Sequence, residues 1–111
     1  MIGQRDLLLV PFPFSDQLGR KVRPVIVMSN EEFNENSEDV IVVGVTSNMS
    51  RDRYTLPLAS KDLEEGKLLT TSYIKVENIL KLDKGLIIKK IGKITKDKFK
   101  KIVSVFNLII D

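Results

Sequence analysis

Three cationic side chains fall within four consecutive residues, Arg20, Lys21 and Arg23, and the last of them directly precedes Pro24. A residue before proline favours extended backbone, so the side chain of Arg23 projects from a stiff stretch of chain. A guanidinium held in this way can bind a phosphate through two parallel hydrogen bonds. The competing interpretation is a surface arginine paired with a carboxylate, an interaction that contributes little to stability. The pattern makes Arg23 a candidate phosphate ligand.

Three small hydrogen-bonding residues, Thr46, Ser47 and Asn48, directly follow a nearly continuous β-branched run at positions 40–45, which predicts a central, well-buried strand. Residues of this kind are common in turns, and that is the competing interpretation. They are also a compact set of donors for a phosphate oxygen or for the edge of a base. These three residues indicate a binding site only in combination with Arg23.

Five further side chains could line the same site: Ser15, Asp16, Arg51, Tyr73 and Lys75. An aromatic ring can stack on a base whatever the nucleotide sequence, which makes Tyr73 a candidate. Lys75 lies two residues further along the same β-rich run and could face the same groove. For Ser15, Asp16 and Arg51 the ordinary alternative is an exposed loop position.

The sequence contains no histidine and no cysteine. Disulfides and thiolate metal sites are therefore excluded. So are zinc sites built on histidine, Ser–His–Asp triads and two-histidine nucleases. Any catalysis must use Arg, Lys, Asp, Glu, Ser, Thr, Tyr or backbone groups. No metal cluster is evident, and we expect neither a metal nor a cofactor.

The charge is unevenly distributed, although the formal net charge is only +3. Residues 31–39 carry five acidic side chains and no basic one. Residues 67–101 carry eleven lysines against three acidic side chains. The C-terminal part is thus a basic surface that could attract nucleic acid. A solvated lysine face that serves only solubility remains the alternative.

The length of 111 residues fits one domain, which we expect to span residues 1–111. The polar start and the short apolar run at positions 7–10 do not resemble a secretory signal. No stretch approaches the roughly 20 apolar residues that span a bilayer. We therefore expect a soluble, cytoplasmic protein without a membrane segment.

Apolar, β-prone runs predict strands over residues 7–12, 21–29, 40–46, 54–58, 68–74 and 76–82. The last two could form one bent strand, and residues 30–39 are expected to be an acidic loop. One helical turn is predicted at 60–63 and a short helix at 83–90. The best helix signal follows Thr95, a plausible N-cap. Apolar residues recur there at helical spacing, and they are Phe99, Ile102, Val103, Phe106, Ile109 and Ile110. These elements predict a mainly β fold, a small antiparallel sheet or barrel, with a C-terminal α-helix packed on it.

The sequence resembles the MazF/PemK-type toxins over nearly its whole length. The resemblance begins with Leu-Leu-Val-Pro-Phe-Pro-Phe-Ser-Asp at residues 8–16 and Lys-Val-Arg-Pro-Val-Ile-Val at residues 21–27. It continues in order through residues 43–47, 72–76, 83–87 and 91–94 and the final helix. Where members of that family usually have Gly-Asp near the start, this sequence has Arg5-Asp6.

The resemblance implies an SH3-like β-barrel, a homodimer and an endoribonuclease that cuts single-stranded RNA at selected sequences. It also implies inhibition by a cognate antitoxin and DNA binding by the toxin–antitoxin complex. In that family the catalytic pair maps onto Arg23 and Thr46. Ser47 then ranks second to Thr46, and Arg20 and Lys21 supply steering charge. Cleavage needs no metal and leaves 2′,3′-cyclic phosphate and 5′-hydroxyl ends.

The general base of such a reaction is open, because arginine stays protonated in proteins. The choices are Asp16, an activated water and a transiently neutral arginine. Two other functions also remain open at this level. One is a toxin of the same fold that binds a protein, like the gyrase poisons. The other is a relative that binds RNA without cutting it, with strong salt dependence.

Overall fold

The computed structural model describes residues 2–11 and 22–111. The elements in chain order are β1 (Asp6–Pro11), β2 (Val22–Val27), α1 (Glu31–Asn36), β3 (Asp39–Thr46), β4 (Thr55–Leu58), β5 (Leu63–Gly66), β6 (Ser72–Asp83), β7 (Lys89–Ile94) and α2 (Lys96–Ile110). Single 3₁₀ turns lie at Ser60–Asp62 and Lys84–Leu86.

The seven strands form one antiparallel sheet in the order β4-β6-β3-β2-β1-β7-β5, curled into a half-barrel. Strands β4 and β5 are its two ends. The C-terminal helix α2 packs on one face of this sheet. This architecture confirms the predicted mainly β, antiparallel fold with a C-terminal helix.

Alternation along the strands divides the buried side chains into two clusters, one on each face of the sheet. On the face covered by α2, Ile26, Val43 and Ile74 pack with Ile102 of the helix. The opposite face carries its own cluster, formed by Leu8, Val10, Val25, Val27, Val40, Val42 and Leu82. Strand β3 contributes to both clusters and pairs with β2 and β6, which confirms it as a central, buried strand.

Helix α2 begins as predicted, because the hydroxyl of Thr95 accepts a hydrogen bond from the backbone N–H of Lys98 over 3.2 Å. The ammonium of Lys98 is buried and donates to the carbonyl of Pro57 over 3.0 Å, which joins the helix to β4. Towards its C-terminal end the helix leaves the sheet, and Ile110 is 62% exposed. The helical spacing was therefore correct, but its last apolar residues do not pack in the core.

Residues 31–36 form a short helix, so the predicted loop over residues 30–39 is wrong in its first half. The side chain of Asn30 caps this helix by accepting a hydrogen bond from the N–H of Phe33 over 2.9 Å. Inside it, the buried Asn34 accepts a hydrogen bond of 2.5 Å from the hydroxyl of Ser29. The helix is stabilised by its cap and a buried polar contact, and apolar periodicity could not reveal it.

The predicted helix over residues 83–90 is also wrong. Only the 3₁₀ turn at Lys84–Leu86 forms, where the Asp83 carboxylate accepts from the N–H of Gly85 over 2.7 Å. The chain then returns to extended geometry, because Lys89 and Lys90 pair with β1. In contrast, the prediction that residues 68–74 and 76–82 form one bent strand is confirmed by β6, although that strand starts only at Ser72.

Arg5 adopts a φ of 79°, in the left-handed region, at the position where the resemblance predicts glycine. Its guanidinium donates to Glu64 and to the carbonyl of Ile94, each over 2.8 Å. Both Arg5→Gly and Arg5→Ala remove these hydrogen bonds, but only glycine adopts this positive φ without steric strain. We expect the glycine variant to be the more stable by about 1 kcal/mol in urea unfolding. An alanine variant of equal or greater stability would contradict this.

Candidate functional site

The residues that bear the proposed chemistry lie on the face of the sheet opposite to α2. Strands β2 and β3 pair with Val25 opposite Gly44. Arg23 and Thr46 each lie two residues beyond this pair, on β2 and β3 respectively. Side chains alternate along strands and opposed residues share a face, so Arg23 and Thr46 point to the side of Val25. Ile26 and Val43, the intervening residues, point to the helix side.

A cavity of about 620 Å³ opens on this face, a size typical of ligand pockets. Its apolar part is formed mainly by Val10, Val25, Leu80 and Leu82. Polar side chains surround that part, and they are Arg23, Thr46, Asn48, Ser50, Lys75 and Asn78. The cavity thus combines an apolar lining with hydrogen-bond donors of both neutral and cationic kinds.

Thr46 and Gly44 shape the cavity from strand β3. The hydroxyl oxygen of Thr46 accepts a hydrogen bond from the backbone N–H of Asn48 over 3.1 Å. A hydroxyl also carries one proton to donate, and this contact leaves that proton unused. Gly44 lies opposite both Val25 and Lys75, and a Cβ built there would come within 3.4 Å of Asn78. The glycine therefore keeps this part of the cavity wide.

Lys75 of β6 lines the cavity but is paired with two carboxylates. Its ammonium lies 3.1 Å from Asp52 and 3.2 Å from Glu77. The hydrogen bond to Asp52 raises the pKa of the lysine. Hydrogen bonds from Ser50 and Thr55 hold the pKa of the Asp52 carboxyl well below its usual range. Both groups are therefore charged throughout the neutral range.

The other predicted site residues fall at three kinds of position. Asn48 lines the cavity from the loop between β3 and β4, whereas Ser47 and Arg51 are exposed in that loop and are not among its described lining residues. Tyr73 is half-buried and lies opposite Thr46 in the pairing of β6 with β3. Ser15, Asp16, Arg20 and Lys21 lie outside the residues that the structure describes.

Sequence reasoning missed Ser50, Asn78 and Asp52. Ser50 and Asn78 line the cavity, and Asp52 binds the lysine there. A partial signal was present, because Asp52 precedes Tyr54 by two residues, the spacing at which an aspartate commonly accepts from the backbone. That bond is present over 2.9 Å. The pairing of Asp52 with Lys75 spans 23 residues and depends on the sheet register.

Within the two described ranges, no three acidic side chains come close enough together to hold a metal ion. Within those same ranges, none of the helices is both long and apolar enough to cross a membrane.

A family model described as the PemK-like, MazF-like toxin of type II toxin–antitoxin systems matches residues 3–110. Solved structures with the same fold include an endoribonuclease in complex with its cognate antitoxin from a mycobacterial species, at a TM-score of 0.80 and 17% identity over 99% of this chain and 95% of that chain. They also include the Mycobacterium tuberculosis toxin MazF-mt6, at a TM-score of 0.78 and 16% identity over 96% of this chain and 97% of that chain. A third is MazE-MazF from Deinococcus radiodurans, at a TM-score of 0.80 and 15% identity over 98% of this chain and 95% of that chain.

Proposed function

This chain belongs to the PemK-like, MazF-like toxins of type II toxin–antitoxin systems, and we propose that it is an endoribonuclease that cleaves single-stranded RNA. The observation that carries the proposal is that Arg23 and Thr46 line one cavity from the adjacent strands β2 and β3. The family membership also supports the proposal, since the solved structures of the same fold include an endoribonuclease.

RNA supplies its own nucleophile, which suits a site without histidine. The 2′-hydroxyl oxygen attacks the adjacent phosphorus, the bond from phosphorus to the 5′-oxygen breaks, and a 2′,3′-cyclic phosphate and a 5′-hydroxyl result. The proton of the 2′-hydroxyl leaves and the 5′-oxygen gains one. The enzyme must align the reacting atoms and stabilise the charge on the non-bridging oxygens.

Arg23 and Thr46 can together meet that second requirement. The Arg23 guanidinium can donate two parallel hydrogen bonds to the non-bridging oxygens. The unused hydroxyl proton of Thr46 can add a third. Arginine stays protonated in proteins, so Arg23 serves as a charged donor and not as the resting base. Chemistry of this kind relies on binding phosphate and needs no metal.

Regulation by a cognate antitoxin is part of the proposal. Two neighbouring structures are complexes of a toxin with its antitoxin. A segment rich in acidic and apolar residues would suit a cavity with cationic and apolar walls, and it would occlude the RNA site. We further propose that the toxin acts in the cytoplasm as a homodimer.

The test is an RNA cleavage assay with purified, antitoxin-free protein and a long single-stranded RNA in EDTA. We expect cuts at a limited set of sequences, with 2′,3′-cyclic phosphate and 5′-hydroxyl ends. Addition of the antitoxin should abolish them. A folded sample that cuts no RNA with or without EDTA would refute the proposal. A sample that cuts only without EDTA would refute the metal-independent chemistry.

A further inference from the structure

One carboxylate, that of Asp52, ties together the loop between β3 and β4. Its Oδ1 accepts hydrogen bonds from the backbone N–H of Tyr54 and from the hydroxyl of Thr55, each over 2.9 Å. Its Oδ2 accepts from the hydroxyl of Ser50 and, over 3.1 Å, from the ammonium of Lys75. Because these donors lie in the loop, in β4 and in β6, Asp52 fastens the loop to the sheet.

The fastened loop forms one wall of the cavity. Asn48, Met49 and Ser50 all line it, and they stand on the same face as Arg23 and Thr46. Asp52 itself does not line the cavity in the described part of the chain, so its effect on a bound ligand passes through the residues that it holds.

Asp52 also controls a charge at the cavity. Lys75 is held between Asp52 and Glu77, and only 21% of its side chain is exposed. Two carboxylates around one ammonium make a cluster with net negative charge, which attracts a phosphate much less than a solitary lysine would. Lys75 is therefore a weak phosphate ligand, and the proposed site relies on Arg23.

We propose that Asp52 is a positioning residue of the proposed cleavage site, which together with Glu77 keeps Lys75 from acting as a second phosphate ligand and which fixes the wall at residues 48–50. The scissile phosphate then has one place to bind, at Arg23 and Thr46, and the RNA has one register. This inference rests on the proposed function. It makes Asp52 a determinant of where the RNA is cut.

The test compares the salt dependence of RNA binding for the wild type, for Glu77→Gln, and for the double variant Asp52→Asn with Glu77→Gln. Glu77 is replaced because its carboxylate, 3.2 Å from the ammonium, would still pair with Lys75 when residue 52 is neutral. The asparagine oxygen can still accept from Tyr54 and Thr55. The probe is a 2′-O-methyl oligonucleotide that carries the sequence at which the wild type cuts. Glu77→Gln should keep the wild-type slope of log affinity against log salt, because Asp52 still pairs with Lys75. The double variant frees Lys75 for one more phosphate and should steepen that slope by about 0.7. On a long RNA, the double variant should also cut at additional sequences.

Two controls separate this role from a merely structural one. Thr55→Val removes a hydrogen bond to the same carboxylate without changing any charge, so its slope should equal that of the wild type. Adding Lys75→Met to the double variant should restore the wild-type slope. An unchanged slope in the double variant, or a steeper one in Glu77→Gln or in either control, would overturn the inference while the wild type still cuts RNA. A wild type that neither binds nor cuts RNA would remove the proposed function as well.

Discussion

Arg23→Ala should lower the single-turnover rate of RNA cleavage by about 10³-fold, the usual loss when a guanidinium that stabilises a phosphoryl transition state is removed. The physical reason is that no other described cation in the cavity is positioned to replace it, since Lys75 is paired with Asp52 and Glu77. The rate is measured with excess enzyme on a short RNA that carries one mapped cleavage site.

Two further variants sharpen this prediction. Arg23→Lys keeps the positive charge but cannot donate two parallel hydrogen bonds, so we expect the cleavage rate to fall by about 10²-fold. Lys101→Ala removes one positive charge on helix α2, across the sheet from the cavity, and should cut at the wild-type rate. Arg23→Ala with near wild-type activity, or Lys101→Ala with an equal loss, would rule out a specific role for the guanidinium.

Thr46→Val should lower the same rate by about 10²-fold, because it removes a hydroxyl donor with little change in side-chain shape. Thr46→Ser keeps the hydroxyl and should retain most of the activity. Thermal unfolding of both variants provides the control, since Thr46 also accepts the hydrogen bond from the N–H of Asn48. Equal losses in the serine and valine variants would show that the methyl group, and not the hydroxyl, is required.

The double variant tests whether the two residues act on one phosphate. Groups that act as one unit on the same transition state give losses that do not multiply fully, so Arg23→Ala with Thr46→Val should cost less than the product of the single losses. Losses that multiply fully would show that the two side chains act independently of each other.

Local sequence was sufficient where one interaction dominates an element. The β-branched run of β3 predicted a strand buried on both faces, and Thr95 marked the start of α2. Prediction from local sequence failed where tertiary contacts determine the secondary structure. Helix α1 buries only Asn34, whose partner is Ser29, so no apolar stripe marks it.

The same distinction applies to the residues of the candidate site. Arg23 and Thr46 were found because each sits beside a recognisable feature, a proline in one case and the end of a buried strand in the other. Their common cavity follows from the pairing of β2 with β3. The ion pairs of Lys75 could not be found from the sequence, because the bend in β6 and the turn at Asp52 together determine them.

The two ends of the sheet restrict how a partner can bind. Strands β4 and β5 are four residues long, and β4 contains Pro57, which has no N–H to offer to an added strand. Strand β5 carries the charged residues Glu64 and Glu65. Short edges with proline or charge resist edge-to-edge pairing and the aggregation that follows from it. The described sheet is thus a poor template for β-augmentation, and we expect an antitoxin to be recognised through side chains on its faces.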